Sequence, residues 1–172
     1  MERRNRGAAE PRRGRIEKRV WIKASAPVVY RALTDSKELG RWFCDRASCD
    51  PREGGELIAC WNDGKSIRKG KALYKRVKEG AAVELEWVDE GDGAPAKASR
   101  HTLSFAIRSK SGMTELCMQD DDEADSDPES LEALDEGWNA VLLELKDFCE
   151  HRERSSRLRA HPRPQSGDQE TP

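Results

Sequence analysis

The sequence predicts an α+β fold in which one long C-terminal helix covers an antiparallel sheet. Leu131, Leu134, Trp138, Val141, Leu142, Leu145, Phe148 and Cys149 recur at steps of three and four, the stripe of an amphipathic helix. Between Cys44 and Gln119, short runs of alternating apolar and polar residues are separated by turn sequences. A helix from Asp127 to Glu150 is about 36 Å long at 1.5 Å per residue, enough to cross a small sheet. Asp127 suits its N-cap, Pro128 its first position and Glu129 the positive end of its dipole.

Taken from the N-terminus, residues 1–14 are Arg-rich without apolar periodicity and read as a disordered basic arm, a solvated tail in preference to a nucleic-acid or lipid contact. Ile16, Val20, Ile22 and Ala24 share one parity against Glu17, Arg19 and Lys23, which predicts a half-buried strand. Trp21 interrupts the polar side and is expected under a neighbouring loop or the arm. Ser25 can cap a short helix with Pro27 in its first turn and Val28, Val29, Ala32 and Leu33 on its apolar face. Asp35 and Glu38 form a capping-box pattern for a second helix that buries Leu39, Trp42 and Phe43.

Strands then follow. Leu57, Ala59 and Trp61 alternate before Asp63-Gly64, a hairpin signal. Residues 67–77 make a basic strand of mixed parity. Val83, Leu85 and Trp87 alternate with Glu84 and Glu86, and Leu103, Phe105 and Ile107 with Thr102, Ser104 and Ala106. Thr114, Leu116 and Met118 make the last strand. Residues 120–136 carry ten acidic residues and no basic one. They lack the order of an EF-hand calcium loop and read as a solvated acidic loop leading into the helix. After Glu150 periodicity fades, and a disordered tail is expected over 155–172, leaving one domain at 15–154.

The 172 residues suffice for one core, and a net charge of −2 gives no nucleic-acid signature. Mean hydropathy is −0.91, much of it due to the two ends. Five cysteines without tight pairing suggest reduced thiols and a cytoplasmic location. The basic N-terminus has no apolar core of a secretory signal, and no apolar run nears the roughly 18 residues of a membrane span.

Catalytic signatures are absent. There is no Gly-rich phosphate loop, no GxSxG and no HExxH, and no cofactor is expected. Cys44 and Cys49, flanked by Asp45 and Asp50, lack the second close ligand pair of a zinc site. Cys60 and Cys117 have no sequence partner and read as inert thiols. Trp61, Trp87, Leu103, Phe105, Leu116, Trp138 and Leu142 should meet between sheet and helix, either as a filled core or as the wall of an apolar pocket. His101 shares parity with Leu103 and Phe105; it reads as a hydrogen-bonded structural histidine, with a general base or ligand anchor as the alternative. Tyr74 offers a hydroxyl to the pocket or to the outer face. Gly137, before Trp138, weakens the helix by about 1 kcal/mol relative to alanine. It reads as close packing against a strand or, alternatively, as space for a ligand.

The segments IEKRVWIKASAPVVYRALTDSKELGRWF, REGGEL, IRKGKALY, VELEW, SGMTEL and EGWNAVLLELKDF occur in this order over about residues 15–152. The series resembles the START-like (SRPBCC) superfamily, in the branch named after the C-terminal domain of the activator of the heat-shock chaperone ATPase. The resemblance implies a helix-grip fold, a curved antiparallel sheet around the long C-terminal helix with a cavity between them. Members of the superfamily bind apolar molecules; some are cyclases and others assist chaperones. It brings no shared catalytic motif, and the acidic stretch 120–127 departs from the usual shorter polar loop. On this basis the expected ligand-binding residues are Trp42, Trp61, Tyr74, Trp87, His101, Leu103, Phe105, Leu116, Trp138 and Leu142. The leading expectation is a module binding an apolar or amphipathic small molecule. A surface-acting protein with a chaperone or other protein partner, in a stress response, comes second. A cyclase- or hydrolase-like enzyme using His101 or Tyr74 comes third.

Overall fold

The computed structural model describes residues 14–88, 100–122 and 128–160. Its elements run β1 (Arg15–Ile22), α1 (Ala26–Thr34), α2 (Ser36–Trp42), β2 (Arg46–Cys49), β3 (Glu56–Asn62), β4 (Ile67–Lys78), β5 (Ala82–Val88), β6 (Arg100–Lys110), β7 (Met113–Asp122) and α3 (Pro128–Ala160). The strands form one curved antiparallel sheet in the order β1-β7-β6-β5-β4-β3-β2, gripping α3 as the helix-grip expectation requires. Strands β2 to β7 pair with their neighbours in sequence, while β1 joins at the far edge through β7.

Alternation fixes which face each strand turns to the helices. Val83 and Leu85 of β5, Leu103, Phe105 and Ile107 of β6, and Leu116 and Met118 of β7 are buried together with Leu142, Leu145 and Cys149 of α3. The mixed parity of β4 has a local cause. Its register on β5 shifts between Tyr74 and Arg76, so one extra residue is inserted, and Ala72 and Tyr74 point inward before the bulge. At the β3–β4 hairpin Gly64 has φ of 84°, and Asp63 accepts hydrogen bonds from the amides of Lys65 and Ser66.

Several expectations change. Strand β7 continues through Asp122, so residues 120–122 are not the start of a loop. Asp120 keeps the inward phase of Leu116 and Met118, pairs with Ile16 and Leu103, and is 1% exposed. Ser25 stands at the N-cap of α1, but its hydroxyl makes no cap; it donates to Glu153 of α3 at 2.9 Å. Asp35 does cap α2, accepting from the amides of Lys37 and Glu38, while the Glu38 carboxylate turns to Arg152. Leu134 is 37% exposed, so the buried stripe starts later along α3 than its periodicity suggests. A Cβ built on Gly137 would meet no atom within 4 Å, which rules out close packing there. Helix α3 runs to Ala160, so residues 155–160 are helical. Residues 1–13 and 161–172, and the N-cap expected at Asp127, lie outside the described residues. Trp21 lies against Lys110, whose Nζ is 5.7 Å from its ring.

Candidate functional site

An apolar cavity lies where α1, α2 and α3 meet the inner face of the sheet. Leu33, Leu39, Trp42 and Phe43 wall it on one side and Leu57, Leu85, Leu103 and Phe105 on the sheet side, with Trp138 and Val141 of α3 opposite. It holds about 30 Å³, the share of one water molecule in the liquid and far below the roughly 300–1,000 Å³ of ligand pockets. In this conformation the walls nearly touch.

Aromatic rings continue from the cavity along the sheet. Phe43 is 5.4 Å from both Trp42 and Trp61 and 6.3 Å from Trp87, centroid to centroid, and Trp87 stacks on His101 at 6.3 Å. Two indole N–H groups are spent on backbone carbonyls. Trp42 Nε1 donates to Ala32 at 2.8 Å and Trp61 Nε1 to Phe43 at 2.9 Å, which fixes the α2–β2 segment over the sheet. Gly70 makes room for this arrangement: a Cβ there would come within 2.9 Å of Trp87 and 3.1 Å of Trp61.

The third indole is held differently. Trp138 Nε1 donates to Oδ2 of Asp120 at 2.7 Å, and Oδ1 of the same carboxylate is 3.0 Å from Nδ1 of His101. A carboxylate buried to this degree needs every donor it has, because water cannot replace them. Asp120 therefore joins α3, β6 and β7 at the rim of the cavity. Sequence reasoning missed it, since it sits at the head of an acidic run. The available signal was phase: Asp120 is two residues after Met118 and four after Leu116.

The ten expected residues separate. Trp42, Leu103, Phe105 and Trp138 wall the cavity. Trp61, Trp87 and His101 form the aromatic row beside it; the His101 side chain is 29% exposed. Tyr74, Leu116 and Leu142 are buried in the core and are not among the cavity walls. Tyr74 points inward, 0% exposed, and its hydroxyl has no partner of good hydrogen-bond geometry. Burial, then the neighbouring Cys49, pushes its pKa far up, so it stays protonated and cannot act as a base. Burial likewise pushes the Cys149 thiol up to about 12, and the charges of Glu38 and Glu150 add to this. Cys49 donates to the Thr34 carbonyl at 3.0 Å. Among the described residues no group of three or more His, Cys, Asp or Glu is placed to hold a metal, and no helix is long and apolar enough to cross a membrane. A larger hollow of about 420 Å³ lies on the outer face of the sheet, where Glu17, Arg19, Arg76 and Glu84 surround Ser104, Ala106 and Cys117. Its charges of both signs suit a solvated sheet face.

Comparison with known proteins agrees with this architecture. Residues 23–150 match the sequence profile of the family described as Activator of Hsp90 ATPase homolog 1-like protein. The chain belongs to this family. Among solved structures it is similar to protein MLL2253 from Mesorhizobium loti, with 16% identity, a TM-score of 0.65, and coverage of 80% of this chain and 97% of that one. CalU16 from Micromonospora echinospora is similar at 22% identity and a TM-score of 0.60, covering 85% and 84%. The Aha1 dimer from Colwellia psychrerythraea is similar at 20% identity and a TM-score of 0.64, covering 79% and 96%. At these identities the likeness is one of fold. No curated protein matches the chain in sequence. The matched span contains every wall of the cavity as well as Asp120 and His101.

Proposed function

We infer that this chain takes up an apolar or amphipathic small molecule between the sheet and α3. The observation that carries the reading is the cavity itself: a meeting point of three helices and the sheet whose ten walls are all apolar or aromatic, bordered by one hydrogen-bonding cluster at Asp120. Apolar walls with few, fixed polar groups are the composition of small-molecule sites. Uptake requires the walls to part, because the present volume admits no more than about one water. Within the His101–Asp120–Trp138 cluster at the rim, the partly exposed His101 side chain is the polar group that meets a ligand's polar end, and the amphipathic reading rests on it.

Two measurements test this. Native mass spectrometry of the purified chain should find a co-purified small molecule. Titration with 1-anilinonaphthalene-8-sulfonate should give saturable fluorescence that Val141→Phe weakens at least tenfold, because the larger side chain fills the cavity. Overpacking costs about 1–3 kcal/mol, so urea unfolding must show that the variant remains folded. A folded Val141→Phe chain binding the probe like the wild type would sink the cavity reading. Stimulation of a purified Hsp90-type ATPase, unaffected by Val141→Phe, would favour the surface-acting alternative.

A further inference from the structure

We propose that α3 has two N-termini, a long form that begins at Pro128 and closes the cavity, and a short form in which residues 128–136 unwind back to Gly137 and let the ligand in. This rests on the binding reading above. Four features carry it.

The two halves of α3 are held unequally. From Leu142 onward the helix is anchored by buried side chains and by polar contacts to the link between β1 and α1 and to α2. Glu150 accepts from the Lys23 amide at 2.9 Å, Glu153 accepts from Ser25, and Arg152 donates to Glu38. Before Leu142, Leu134 is exposed, and Trp138 and Val141 are half-buried. Among the described residues, the polar contacts that tie this half to the sheet are Lys18 to Asp135 at 2.6 Å and Trp138 to Asp120 at 2.7 Å.

Gly137 then falls at the boundary. Glycine inside a helix is unfavourable unless packing or a special backbone angle calls for it, and neither applies. Its Cβ position faces open space, and its φ is not positive. What glycine does suit is an N-cap, where it is tolerated far better than in a helix interior. With residues 128–136 unwound, Gly137 stands at that position, and Trp138 to Val141 become the first turn, whose amides lack intrahelical partners. These residues include the two side chains that α3 contributes to the cavity wall. Unwinding thus loosens that wall and no other. The four acidic residues at 129, 132, 135 and 136 keep the released segment soluble.

Amide hydrogen exchange on the full chain tests the transition, and stopped-flow association of 1-anilinonaphthalene-8-sulfonate tests its purpose. Amides of residues 132–141 should exchange faster than those of 145–155. Gly137→Ala has room for its methyl group, and it should slow exchange over 132–141 by about fivefold, from the helix-propensity difference. Ala133→Gly, at an exposed position, should speed it by a similar factor. Residues 145–155 should not respond, and the association rate should follow the same order. Uniform protection along α3, or exchange indifferent to both variants, would overturn the two-form helix. Exchange that responds while the association rate does not would overturn its role as the entrance. A wild type that binds no apolar probe would remove the binding reading, while the exchange pattern alone still decides whether the short form exists.

Discussion

Trp138→Phe isolates the contact between α3 and the buried carboxylate. Phenylalanine keeps a flat apolar ring at the cavity wall but has no N–H. Oδ2 of Asp120 then loses a 2.7 Å donor in a residue only 1% exposed, so water has no access to replace it. A hydrogen bond to a charged group contributes about 1.5–3 kcal/mol, and the smaller ring adds a few tenths for lost packing. We expect a destabilisation of about 2 kcal/mol, read as a lower urea midpoint at unchanged slope. The size of the domain translates this to a melting temperature lower by about 4–8 °C. Asp120→Leu completes the cycle. In that background Trp138→Phe should cost less than about 0.5 kcal/mol, since the carboxylate no longer needs a donor. Additivity of the two changes within about 0.3–0.5 kcal/mol would refute the coupling and with it the account of Asp120 as the tie between helix and sheet.

Three further outcomes follow from other parts of the molecule. Gly70→Val should destabilise by about 1–3 kcal/mol and alter the near-ultraviolet circular dichroism, because its side chain enters the space of Trp61 and Trp87; an unchanged spectrum would show that the two rings are not fixed across β4. The Cys149 thiol, buried with its pKa pushed up to about 12, should resist iodoacetamide at pH 8 until urea unfolds the chain, as mass mapping of labelled thiols would show. Glu153 has its carboxyl lowered, first by the Ser25 amide, against partial desolvation, and then by the Ser25 hydroxyl and Arg157. Its contribution is therefore present above the ordinary glutamate range and lost as pH falls through the lowered value. The stability deficit of Glu153→Gln should be larger at pH 7 than at pH 3.5; equal deficits in urea at both values would contradict the contact.

Strands with one buried face were legible because the side-chain period is fixed at two. Val83, Leu85 and Trp87, and Leu103, Phe105 and Ile107, declared both the strands and their inward face. β4 was legible as a strand but not in its facing, since the bulge after Tyr74 breaks the period without any glycine or proline to mark it. Composition misled at Asp120, where an acidic run hid the continuation of the β7 alternation. At Gly137 the chemistry of one residue allowed close packing or space for a ligand, and the neighbouring atoms exclude the packing. The site was half legible for the same kind of reason. Trp42, Leu103, Phe105 and Trp138 announce themselves as large apolar groups on the right faces. Leu33, Leu39, Phe43, Leu57, Leu85 and Val141 join them through the crossing of elements distant in sequence, which periodicity within one element does not encode.

The pairing of β1 with β7 has a consequence during synthesis. Arg15 and Asp121, partners in that ladder, are 106 residues apart in the chain. At roughly 5–20 residues per second, the first strand waits about 5–20 s on the ribosome before the strand it pairs with has been made. Glu150 and Glu153, which hold the residues just after β1, come later still. Strands β2 to β7 each pair with the next strand in sequence, whereas β1, with its apolar residues Ile16, Val20 and Ile22, has no partner strand until β7 has been made. A ribosome stalled before Met113 should therefore expose a segment open to chaperone capture, and release from that capture should coincide with the emergence of α3.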